Sequence, residues 1–422
     1  MFTSFSQLAN AHRNGENAGI TSVCSAHPLV VRAALRRGKR HGQIVLIEAT
    51  CNQVNQYGGY TGMTPADFVV FVEAIAREEG FDRDRLIFGG DHLGPNPWRK
   101  LPAEEALAKA EIMVADYVSA GFTKIHLDAS MGCAGEPAAL DDTVTAQRAA
   151  RLAKAAEKAA VTSGFALPSY IIGTEVPVPG GADHALTEVT PTSPDAARQT
   201  IAVHRERFAS EGLQDAFDRV IGIVVQPGVE FGNENVVEYR PEQAVVLSQL
   251  LNSEPQFVFE AHSTDYQTVP ALAALVRDGF PILKVGPGLT FALREALYGL
   301  DLIAGELDPA YGMRSLAGTM ERLMLEKPDH WASHYHGSDN DRHVQRHYSY
   351  SDRIRYYWTE PEATEAVNKL TIALSGHAIP ETLLRQFLPN LAIGPADRNN
   401  PEAILIAAID QVLADYSAAC GW

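Results

Sequence analysis

Nowhere in the sequence is there a run of about 18 apolar residues, the length a bilayer-spanning helix needs. The opening stretch MFTSFSQLANAHRNGENAG has no apolar signal-peptide core. A cytoplasmic protein with no membrane partner is therefore expected. Cysteine is scarce. Cys24, Cys51, Cys133 and Cys420 are scattered with no CxxC pair, which argues for reduced thiols rather than a disulfide framework or a zinc ribbon. Positive charge is also short, 35 Lys+Arg against 52 Asp+Glu, and the resulting −17 is the wrong sign for a nucleic-acid-binding face. It still permits an anionic substrate in a local basic pocket. Walker A and GxSxG motifs are missing, which disfavours a kinase and a serine hydrolase.

What the 422 residues do contain, 46% of them hydrophobic, is enough to bury a large core. Short runs rich in Val, Ile and Leu recur at Ile20–Val23, Ile44–Ile47, Leu86–Phe88, Lys124–Leu127, Ser169–Ile172, Val220–Val225, Phe257–Phe259 and Ile282–Val285. Helical patterns lie between them. Thr64–Glu79 opens with a threonine cap and a proline, and Ala103–Ala120 and Thr143–Thr162 are alanine-rich and amphipathic. Eight strands alternating with helices predict a parallel sheet closed into a (β/α)8 TIM barrel. A doubly wound sheet would want a GxGxxG first turn, and ITSVCSAHP lacks it. Beyond residue 300 the chain turns rich in aromatics, His and Arg, with helical patterns at Pro361–Ser375 and Pro401–Tyr416. The expected division is a barrel over 1–300 and a mostly helical extension over 301–422 packed upon it.

Active-site groups of such barrels sit where strands end. Here those positions carry Ser25-Ala26-His27; Glu48, then Asn52 and Gln53; Asp91-His92; His126, Asp128 and Ser130; Glu175; Gln226; Glu260, His262 and Asp265; and Lys284. One polar residue at a strand end reads as a cap or loop hydrogen bond, but burying a ring of them in a barrel mouth is costly without partners. Carboxylates, imidazoles and amides together suit a polar, sugar-like substrate and a divalent metal. His92 and His262 lead as ligands, with Glu175, Glu260, His126 or Gln226 completing the set. Asp91, next to His92, suits a general acid/base, with Glu48 and Glu175 as further catalytic carboxylates. Asn52 and Gln53 are candidate substrate contacts.

A phosphate has its own candidate site. KVGPGLTFALREAL places Lys284, the turn glycines Gly286 and Gly288, and Thr290 at a helix start after the last strand, where backbone N–H groups can hold an anion. Arg353 and Arg355 bring further charge from the extension. The proline-rich GTEVPVPGG reads as a lid or an ordered loop. His334, His336, His343 and His347 lie in a hydrophilic stretch and read as surface residues.

The strings SVCSAHPLV, LIEATCNQVNQYGGYTGMTPADF, GGDHLGPN, KIHLDASMGCAG, GTEVPVPGG, VVQPGVEF, EAHSTDYQT, LKVGPGLTFALREA and SDRIRYYW together resemble the Z-subunit family of class II tagatose-1,6-bisphosphate aldolase, from about residue 18 to the C-terminus. The resemblance implies a barrel related to class II aldolases, acting in galactitol, N-acetylgalactosamine or tagatose breakdown. By that likeness Asp91 donates a proton and His92 binds zinc, whereas strand 6 offers Gln226 where the aldolases have a histidine.

Three activities stay open. Members of the family are described as supporting a separate catalytic Y subunit, so one reading is a non-catalytic stabilising partner in a hetero-oligomer. Relatives have been labelled tagatose-6-phosphate kinases, a name the missing motifs do not support, and others act alone as tagatose-6-phosphate 4-epimerases. The favoured expectation is metal-assisted retro-aldol/aldol chemistry that epimerises tagatose 6-phosphate to fructose 6-phosphate. A sugar-phosphate binding protein is the third reading. A homo- or hetero-oligomer is expected in each case.

Overall fold

A computed structural model describes residues 5–173 and 189–422; Glu175 lies outside the described residues. Eight parallel strands close into a barrel in chain order: β1 (Ile20–Cys24), β2 (Val45–Thr50), β3 (Leu86–Leu93), β4 (Lys124–Leu127), β5 (Ser169–Ile172), β6 (Val220–Val224), β7 (Val258–Ala261) and β8 (Ile282–Val285), which pairs back onto β1. The expected (β/α)8 barrel is the fold. Helices separate the strands, and local chemistry sets their ends. Thr64 and Asp67 form a reciprocal capping box ahead of Pro65–Glu79, and Gly80 ends that helix at φ 61°.

Period-two alternation builds the interior in layers. Leu46, Val258 and Ile282 belong to an apolar cluster that also takes Phe5 and Leu8 from the N-terminal segment. Two residues further along the same strands come Glu48, Glu260 and Lys284, so charge sits directly above the apolar layer. The outer strand faces join the helices in a second, larger apolar cluster.

Strand β3 runs to Leu93, not Phe88, and so carries Asp91 and His92 within it. Its pairing with β4 slips between Gly90 and Leu93. Gly89 marks a close approach inside this strand. In the register Glu48↔Gly89↔Lys124, a Cβ on Gly89 would stand 2.7–2.9 Å from the Glu48 side chain. Glycine leaves the gap through which Glu48 reaches across β3 to Lys124. The Gly89→Ala variant is expected to lose about 1–3 kcal/mol through overpacking, read from its urea-unfolding midpoint; wild-type stability would show that the gap is not tight.

The helix Pro287–Leu307 passes residue 300 unbroken. After it the chain is mostly helical, and the last helix, Pro401–Ala419, returns to the barrel. Its Asp410 pairs with Arg37 at 3.1 Å, and its Tyr416 hydroxyl donates to the Thr264 carbonyl at 2.7 Å. His347 is buried and His343 half-exposed, both on Glu321 beside Arg346, so the surface reading fails for His347. It holds for His336. No helix among the described residues is long and apolar enough to cross a membrane.

Candidate active site

The floor of the barrel mouth is a buried lattice of charge. Lys124 Nζ lies 2.7 Å from both Glu48 Oε1 and Glu260 Oε2, and all three side chains are wholly buried. Those contacts lack hydrogen-bond alignment, so charge rather than directed bonding holds them. Lys284 Nζ reaches Glu48 Oε2, Asp91 Oδ1 at 2.6 Å and Glu260 Oε1 at 3.4 Å. Burial alone would strip protons from both lysines. The surrounding carboxylates outweigh it and hold both above the usual lysine range. Burial likewise opposes charge on Asp91, yet His92 and Lys284 hold that carboxyl well below its usual range.

Above the floor, one ligand atom each from Asp91, His92, His126 and His262 falls within 4.8 Å of the others. Burial pushes His262 down to about 3, so its imidazole is neutral, and Nε2 lies 2.9 Å from Glu260 Oε1. His92 Nδ1 lies 2.8 Å from Asp128 Oδ2, the carboxylate–histidine arrangement that orients metal ligands. His126 is placed differently. Its Nε2–H donates to the Gly173 carbonyl at 2.8 Å, while Nδ1 accepts the His92 backbone N–H at 3.2 Å. It braces the His92 peptide, which is held at φ 50°. Ser263 and Tyr266 after β7 also sit at positive φ, so unusual backbone gathers around the site. A set of neutral imidazole, imidazole and carboxylate fits a divalent transition metal.

A cavity of about 540 Å³ opens over this cluster, walled partly by the extension. Asp91, His92, His262, Asn52, Gln53, Lys284, Gly286, Thr290 and Arg355 line it together. Glu48, Glu260, His126, Gln226 and Arg353 do not line it, and the groups of the β8 turn that do are already engaged. Glu48, Glu260 and His126 are wholly buried. Gln226 folds back, its Oε1 accepting the N–H groups of Gly228 and Val229 at 2.8 and 2.9 Å. Arg353 donates to the His330 carbonyl. Gly286 and Gly288 both donate their N–H to Asp265 Oδ1, at 2.9 and 2.7 Å, and Thr290 donates to Asp352. Lys124 is the residue sequence reasoning misses. Its signal was present, because Lys124, His126 and Asp128 alternate in KIHLD and must share the inward face.

Known proteins match this architecture over nearly its whole length. Residues 5–421 match the family described as "D-tagatose-1,6-bisphosphate aldolase subunit GatZ/KbaZ-like". A protein of Agrobacterium fabrum strain C58 named D-tagatose 6-phosphate 4-epimerase is 66% identical over 414 residues, covering 98% of this chain and 97% of its own. The crystal structure of a probable tagatose 6 phosphate kinase from Sinorhizobium meliloti 1021 is 57% identical, with a TM-score of 0.87 over 95% of this chain and 100% of that one. The barrel, its extension and these matches together make this chain a member of the GatZ/KbaZ-like family.

Proposed function

We propose that the protein acts alone as a metal-dependent ketose-phosphate 4-epimerase in carbohydrate breakdown, converting tagatose 6-phosphate to fructose 6-phosphate. One observation carries the reading: an ionised carboxylate, Asp91, sits among imidazoles at the base of a sugar-sized cavity. The relative named as a 4-epimerase supports it. His92 and His262 would hold a divalent cation, zinc being the first choice, and would leave Asp91 beside them as the base. Such a cation supplies Lewis acidity towards the ketone and hydroxyl oxygens of a ketose.

The chain's own residues supply the proton chemistry. Asp91 takes the proton of the C4 hydroxyl. The C3–C4 bond then breaks, its electron pair passing to C3 and the C2 carbonyl as an enediolate, and C4 becomes an aldehyde. Lys284, 2.6 Å from Asp91 Oδ1, keeps that carboxylate ionised before the transfer. The retained aldehyde turns its other face, C3 attacks it, and Asp91 returns the proton to the new C4 oxygen. Asn52 on the cavity wall would hold sugar hydroxyls; Gln53, whose Oε1 accepts the Thr50 N–H at 2.8 Å, would offer only its amide N–H groups. Phosphoryl transfer is disfavoured, since no Walker A sequence is present and the glycine-rich turn after β8 has two of its N–H groups taken by Asp265.

The test uses the purified chain alone with tagatose 6-phosphate. Fructose 6-phosphate is expected to form, to stop after chelation and to return on adding a divalent cation. No conversion alone, with aldolase activity rising when a class II catalytic subunit is added, would overturn this reading in favour of the stabilising partner.

A further inference from the structure

The cavity is poor in cations. Among the described residues its lining contains one lysine and one arginine, Lys284 and Arg355. Lys284 is consumed by Glu48, Asp91 and Glu260 beneath the floor. His27 is no substitute. Burial pushes it down to about 4, and its Nδ1 caps the Leu29 N–H at 3.2 Å. Residues 174–188, TEVPVPGGADHALTE, contain neither lysine nor arginine, so that stretch cannot add one.

Arg355 is the exception. No carboxylate oxygen among the described residues lies within ion-pair distance of its guanidinium; its acceptors are the carbonyls of Ser351 and Asp352 and the Tyr356 hydroxyl. Two of its five N–H groups, one on Nε and one on Nη2, are left over for an anion. Asp265 and Asp352 are near enough to feel its charge but neither pairs with it, so the guanidinium keeps an open anion position towards the cavity. Meanwhile the turn after β8, where barrels often hold phosphate, is already occupied by a carboxylate of this chain, Asp265, accepting from Gly286 and Gly288.

We infer that Arg355 is the single phosphate anchor of the cavity and that Asp265 fills the position a second phosphate would need, so the site selects ketose monophosphates over bisphosphates. This rests on the reading of the cavity as a sugar-phosphate site and names its charge preference. It also separates the chain's own chemistry from that of a bisphosphate aldolase.

Calorimetry on the full chain tests it with two probes, fructose 6-phosphate and fructose 1,6-bisphosphate. In the wild type the bisphosphate is expected to bind no tighter than the monophosphate. Arg355→Met is expected to weaken fructose 6-phosphate by about 10²-fold and Arg355→Lys by about tenfold, through loss of the charged fork. The preference for tagatose 6-phosphate over unphosphorylated tagatose should fall in parallel. Undiminished affinity in Arg355→Met overturns the anchor, and if that variant does not fold, undiminished affinity in Arg355→Lys does so. A bisphosphate bound more than about tenfold tighter than the monophosphate overturns the single subsite. Arg355-dependent binding without epimerisation would sink the proposed reaction and leave the anchor standing; epimerisation with unchanged affinity in the variants would do the reverse.

Discussion

Asp91→Asn is expected to slow conversion of tagatose 6-phosphate by about 10²–10⁴-fold, the range for loss of a positioned acid/base. The amide keeps the shape of the carboxylate but cannot take the C4 proton. The lattice below should tolerate the change. With Asp91 neutral, the two ammoniums of Lys124 and Lys284 face the two carboxylates of Glu48 and Glu260, which still balances. Loss of turnover with an unshifted thermal transition is therefore the diagnostic pair. Wild-type turnover in Asp91→Asn would move the proton chemistry to another residue.

Lys124→Met should have the largest effect on stability. The ammonium separates two wholly buried carboxylates, and removing it leaves Lys284 as the one ammonium that Glu48 and Glu260 share. Breaking a buried charge set from one side costs about 3–5 kcal/mol, a large part of the ~5–15 kcal/mol that holds a typical domain. Urea unfolding followed by circular dichroism would measure it. The triple change Lys124→Met, Glu48→Gln, Glu260→Gln should recover part of the loss, because the stranded charges go with the ammonium. A single variant as stable as the wild type would show that water or protonation relieves the carboxylates, and the lattice would not be a structural element.

Strand periodicity made the barrel legible, since apolar runs and helical patterns alternate eight times before residue 300. Asp91, His92 and His262 could also be read, because a strand ending in ionisable residues is hard to explain otherwise. Other assignments depended on which groups neutralise which, and that is set by pairs distant in sequence. Lys284 looks like a phosphate ligand in the string KVGPG, but Glu48, 236 positions away, draws it to the floor. The β8 turn likewise looks open until Asp265 is seen inside it. Gln226, a possible ligand by position, spends its side-chain oxygen on its own loop.

The cavity wall is shared between two stretches of very different character. Its floor comes from strands whose charges are interlocked, while part of its wall comes from Arg355, Tyr356 and Trp358 in the extension. A substitution in the floor disturbs several partners at once, whereas wall positions other than Arg355 touch fewer charges and can change one at a time. New substrates in such a protein would be acquired at its periphery while its chemistry stayed where it is.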